Sequence, residues 1–106
     1  MTNLEALKAE IEPYSATDNM YTKRLIDAGL SEDDEYESVN RKVLAKCAID
    51  ILLSFLSLSS ESLGPTSQTY DKTGLEDRIS AICLENGFDS SLYTSRPSVK
   101  VYHNLF

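Results

Sequence analysis

The chain has 106 residues, about the size of one compact domain, and a formal net charge of −7. Such a surplus of carboxylates argues against non-specific binding of nucleic acid or of anionic membrane, both of which reward a basic surface. A domain this small buries only about 60–70% of its unfolded surface, so its core is thin and rests on few elements.

The opening residues, MTNLEALKAE, are polar and amphipathic, and we read no secretory signal peptide in them. Thr2 and Glu5 have capping-box spacing, which predicts a first helix from about residue 3 with Leu4, Leu7 and Ile11 on one face. Pro13 stops that helix near Glu12, because a residue before proline avoids the helical region. Asp18 is expected to cap a second helix through Ala28, with Tyr21, Leu25 and Ala28 on one side. Gly29 is its left-handed stop. Both helices fall short of the roughly 12–15 residues needed to persist alone in water, so they must fold against something else.

The acidic run Glu32, Asp33, Asp34, Glu35 and Glu37 reads as a solvated loop or helix start. It lacks the alternating oxygens, central glycine and terminal glutamate of a calcium loop, so we expect no metal there. A central helix is expected from about Tyr36, with Ser31 or Ser38 as its cap and the carboxylates favouring its N-terminus. Within it, Lys42, Lys46, Asp50, Ser54 and Ser57 fall on one narrow stripe at about 100° per residue. Nearly every other position from Val43 to Leu58 is apolar, which gives an apolar arc of roughly 240°, far wider than an ordinary surface helix shows. Such a helix needs neighbours on several sides. It is not a membrane span, because Arg41, Lys42, Lys46 and Asp50 interrupt it.

The periodicity is lost over Ser57–Ser62. The segment to Lys72 reads as a protruding loop with a Gly64-Pro65 turn and one short extended segment or hairpin over Thr66–Tyr70. Thr73 and Glu76 suggest a second capping box, and Leu75, Ile79, Ile82 and Cys83 make the stripe of a last helix closed at Asn86-Gly87. Cys47 and Cys83 both occupy apolar helical positions and read as buried, reduced thiols. A disulfide between them is the alternative, and an intracellular compartment would keep it reduced. The division is therefore one helical domain over 1–88 and a C-terminal tail or arm over 89–106. The tail has no helical period but alternates Val99 and Val101 with polar residues before Tyr102, Leu105 and Phe106.

Chemistry-bearing patterns are missing. His103 has no partner at ligand spacing, no serine sits in a G-x-S-x-G setting, and the four glycines are too scattered to cradle a phosphate. Glu76 and Asp77 fit the first turn of a helix. We therefore expect no enzyme, cofactor or metal.

Three stretches carry a resemblance: LIDAGLSEDDEYES before the central helix, KCAIDILLSFLS within it, and SSESLGPTSQTYD followed by LEDRISAICLENGF. Over about residues 3–88 the chain resembles the head–tail connector (head-completion adaptor) proteins of tailed bacteriophages and prophages. Glu61, Ser62, Gly64, Ser67 and Tyr70 match that family's loop, while Asn86-Gly87 meets its closing pair only in part. The resemblance implies an all-α bundle of about four helices around a long central one. It also implies a structural virion protein forming a ring adaptor between capsid portal and tail. Its partners would be other copies and portal and tail-side proteins, with no specific nucleic-acid binding and no membrane. Its place would be the bacterial cytoplasm during assembly and then the virion. An acidic chain suits a DNA conduit, which should not grip its cargo. The expected interface residues are Glu61, Ser62, Leu63, Gly64 and Tyr70 in the loop, an edge able to pair with another chain, and Val99, Val101, Tyr102 and Phe106 in the arm. The rival reading is a small acidic intracellular module that sequesters a protein partner.

Overall fold

The computed structural model describes residues 1–61 and 72–93. Among these residues four α-helices form an all-α bundle: α1 (Asn3–Ile11), α2 (Asp18–Asp27), α3 (Arg41–Glu61) and α4 (Lys72–Asn86). Short 3-10 turns occupy Ser38–Asn40 and Ser90–Leu92, the second being a single turn inside the stretch read from sequence as non-helical tail. The expected hairpin over Thr66–Tyr70 and the arm from residue 94 onward lie outside the described residues.

The caps follow the sequence closely. Thr2 Oγ1 accepts from the Glu5 N–H at 3.2 Å, and Glu5 Oε1 accepts from the Thr2 N–H at 2.8 Å, completing the capping box. Pro13 follows a cis peptide bond, and Glu12 leaves the helix at ψ 142°. At the ends of α2 and α4, Gly29 and Gly87 take φ of +82° and +75°. The N–H of Leu30 then reaches Leu25 O, and that of Phe88 reaches Cys83 O, both at 2.8 Å. These are the six-to-one bonds of a Schellman ending, and Leu30 and Phe88 both pack on the core, as that motif favours.

Three starts differ from expectation. Thr17, rather than Asp18, caps α2. Its hydroxyl reaches the Met20 N–H at 3.2 Å, and Asp18 becomes the first helical residue, where its charge still favours the dipole. α3 begins at Arg41 after the 3-10 turn, and neither Ser31 nor Ser38 caps it. The reason lies in α1, which claims the acidic run. The carbonyls of Asp34 and Glu32 accept from the Asn3 and Leu4 N–H groups at 2.9 and 3.2 Å, and the Tyr36 N–H donates to Met1 O at 2.8 Å. Together with the capping box, this satisfies all four N–H groups that a helix start leaves open. Asn3 Nδ2 adds a bond to Ser31 O, and Thr22 Oγ1 donates to Glu32. In α4, which spans Lys72–Asn86, Thr73 is the second helical residue rather than the residue before the helix. Glu76 shares the face of Ile79 and Cys83 and is buried at 5% exposure.

α3 is the rod around which the others pack. α1 and α2 pack on each other and on α3, and α4 makes the largest contact with α3. Leu7, Ile11, Leu25, Ile49, Ile51, Leu52, Phe55, Leu75, Ile79 and Ile82 form one continuous core. Arg78 ties α1 to α4. Its Nε and Nη2 donate to Glu10 O, one of the open carbonyls at the end of α1, at 3.1 and 2.7 Å.

Two stability measurements test this account. Phe55 is 3% exposed in the core, so Phe55→Ala should cost about 3–5 kcal/mol in chemical unfolding. A loss below about 1 kcal/mol would put the wrong face of α3 inside. No atom lies within 4 Å of a Cβ built on Gly87, so Gly87→Ala should cost about 1–2 kcal/mol from its positive φ alone. An unchanged unfolding midpoint would show that the left-handed ending is dispensable.

Candidate functional site

Three helices cannot enclose a rod on every side. α1 neighbours both α2 and, through Arg78, α4, whereas α2 and α4 make no comparable contact with each other. The gap between them is an open groove of about 510 Å³. Its floor is the stripe on α3, with Lys42, Lys46 and Asp50 joined by Val43 and Cys47. One wall is the end of α2, Arg24, Asp27 and Ala28, and the other is Phe88 and Tyr93 beyond α4. Next to Lys42, Arg41 ties the start of α3 to the end of α4, its Nη2 donating to Glu85 O at 3.0 Å.

The groove combines an apolar interior with charged rims. Val43 is 39% exposed, a large apolar side chain left on an otherwise polar stripe. Lys46 Nζ lies 3.0 Å from Asp50 Oδ1 and 5.5 Å from the Tyr93 ring centroid. The Asp50 hydrogen bond holds the Lys46 ammonium above the usual lysine value, against a smaller opposing effect of burial. Asp27 is bound to Lys23 at 2.7 Å. Both acids of the groove are therefore neutralised, while Arg24 and Lys42 form no ion pair among the described residues. The groove thus has a net positive rim in a strongly acidic protein.

Cys47 closes the groove from below at 4% exposure, and its thiol donates to Arg24 O at 3.5 Å. Burial, with Asp50 nearby, pushes its pKa up, the reverse of an activated nucleophile. Cys83 is also buried and takes part in no disulfide with Cys47. Among the described residues no three His, Cys, Asp or Glu side chains gather as they would for a metal ion. No helix among them is long and apolar enough to cross a membrane. What the groove can do is receive a surface of opposite charge with an apolar tip.

Of the residues expected to form an interface, Glu61 is the last residue of α3. Ser62, Leu63, Gly64, Tyr70, Val99, Val101, Tyr102 and Phe106 lie outside the described residues. The sequence reading did not single out Arg24, Phe88 or Tyr93 as members of a site. The signal for the floor was present as the Lys42, Lys46 and Asp50 stripe. The walls come from elements that only the tertiary fold brings together.

Over residues 1–106 the sequence matches the model of a family of unknown function (DUF6706), and the chain belongs to that family. No curated protein and no solved structure gives a match.

The two buried thiols supply a test of the groove. In native protein near neutral pH, both should react with a thiol reagent far more slowly than free cysteine, and unfolding in non-reducing buffer should release both at once. Rapid reaction of Cys47 in the native state would mean that the groove opens down to its floor. Absence of free thiol after unfolding would show a disulfide.

Proposed function

We propose that this protein is a structural adaptor of a tailed bacteriophage or prophage, whose copies close into a ring between the capsid portal and the tail. The observation that supports the reading best is the order of the helices. Two short helices of 9 and 10 residues precede a rod of 21, and a glycine-ended helix of 15 follows. That order agrees with the bundle of about four helices around a long central one that the head–tail connector resemblance implies. The groove adds physical support. A subunit of a ring shows unlike surfaces to its two neighbours, and a bundle with one open seam offers one such surface.

The charge also suits a conduit. Lining a DNA channel with a net acidic chain avoids the counterion release that makes basic surfaces hold phosphate backbones. The rival reading, an acidic module that sequesters a basic partner, draws on the same carboxylates, with Asp33, Asp34 and Glu37 all exposed. It differs in predicting a monomer at every concentration.

The test is genetic. Deleting the gene from the phage or prophage that carries it should leave filled heads and finished tails unjoined in electron micrographs, and supplying the protein in trans should restore joined particles. The protein should also be found in purified virions. Infectious particles formed without it would overturn the adaptor reading.

A further inference from the structure

The groove on one flank of α2 has a counterpart on the other. Taking Thr22 as the origin and stepping at about 100° per residue, Asp27, Arg24 and Ala28 of the groove wall lie at roughly 140°, 200° and 240° around the helix. Thr22 itself holds the acidic loop, donating to Glu32 Oε2 at 3.0 Å. Ile26 lies only about 40° from Thr22 and one turn along, and it is 65% exposed, an unusual state for isoleucine inside a helix of a packed bundle. The flank of α2 facing away from the groove therefore carries an uncovered apolar side chain beside a loop whose Asp33 and Asp34 are exposed and unpaired among the described residues.

We propose that this acidic flank of one copy docks into the groove of the next, with Ile26 against Val43, Phe88 and Tyr93 and the Asp33 and Asp34 carboxylates against Arg24 and Lys42. The occupant is a second copy because one chain supplies both halves of the match. Among the described residues, Arg24 and Lys42 are cations without ion-pair partners at one place, and Asp33 and Asp34 are anions without ion-pair partners at another. Apolar side chains stand exposed in each half. The two halves lie on opposite flanks of α2, so pairing them is head-to-tail rather than two-fold. Repetition then gives a ring if the rotation closes. The backbone of the acidic loop is already anchored on the start of α1. Its carboxylates are therefore presented on a fixed frame, which lowers the ordering cost of binding.

The net charge does not forbid the contact. At about 0.15 M salt the Debye length is about 8 Å, so repulsion between whole acidic chains is screened while pairs in contact are screened far less. Like charges placed across the interface oppose it, whereas restored opposite charges recover the match.

This inference rests on the ring reading above, and a charge-swap experiment separates the two. One variant reverses the groove (Arg24→Glu with Lys42→Glu) and the other reverses the loop (Asp33→Lys with Asp34→Lys). Circular dichroism and thermal melting confirm that each still folds. Sedimentation velocity at about 0.15 M salt, where pairs in contact remain effective, should show wild-type protein self-associating as concentration rises. Each variant alone should associate about a hundredfold more weakly, and an equimolar mixture should recover the wild-type behaviour. Ile26→Ser should weaken association without changing helical content. If both charge variants assemble like wild type, or the mixture recovers nothing, this contact is overturned while the adaptor reading stands on the genetic test. If wild-type protein stays monomeric into the millimolar range, the contact is likewise overturned. The deletion phenotype then decides the adaptor reading separately.

Discussion

Burial of α3 is the constraint on which everything else depends. Ile49, Ile51 and Leu52 have no exposed surface, and Leu44 and Phe55 have almost none, so most of the rod's circumference is withdrawn from water. Each such side chain is worth roughly 1.5–3 kcal/mol when fully buried. α1 and α2, with 9 and 10 residues, lie below the length at which isolated helices hold their shape. Their helicity is a consequence of docking: Leu7 and Ile11 of α1, and Tyr21 and Leu25 of α2, are ordered because α3 offers them a surface.

Where sequence reasoning worked, the signal was local and had one physical meaning. Thr2 with Glu5, and Gly29 and Gly87 followed by an apolar residue, each describe a helix end that a few backbone groups complete by themselves. The wide apolar arc of α3 likewise forced a central position, because no other arrangement could cover it. The failures share a different cause. The acidic run from Glu32 to Glu37 is the solvated loop its side chains suggest, but it does not start α3. Its backbone carbonyls are bound to α1, some thirty residues away, and nothing in the local pattern announces that. Glu76 has the same character, since a carboxylate four residues into α4 reads as exposed until the face of Ile79 and Cys83 is seen to include it.

The groove was legible in half. A stripe of Lys42, Lys46 and Asp50 on an otherwise apolar helix marks the one side of the rod that cannot be buried without cost. The walls could not be read the same way. Arg24 belongs to a short amphipathic helix, where a basic residue in the last turn already has an electrostatic explanation. Phe88 has its own as the apolar partner of a Schellman ending, and Tyr93 follows the last 3-10 turn with no period to place it. Three residues, each locally explained, become a site only when the fold sets them around one stripe.

That stripe also limits what can occupy the groove. A fully apolar helix laid across it would strand the Arg24 and Lys42 charges away from water, and an unpaired buried charge costs several kcal/mol. Lys46 is less of an obstacle, because Asp50 already neutralises it at 3.0 Å and Tyr93 shields it. A partner must therefore bring carboxylates for two positions and apolar surface for the rest, or leave the rims wet. Among the described residues three helices surround the rod, and any further segment laid in the seam would have to carry that combination. The described seam is floored by Val43 and the buried thiol of Cys47, with its charges held at the rim where water can still reach them.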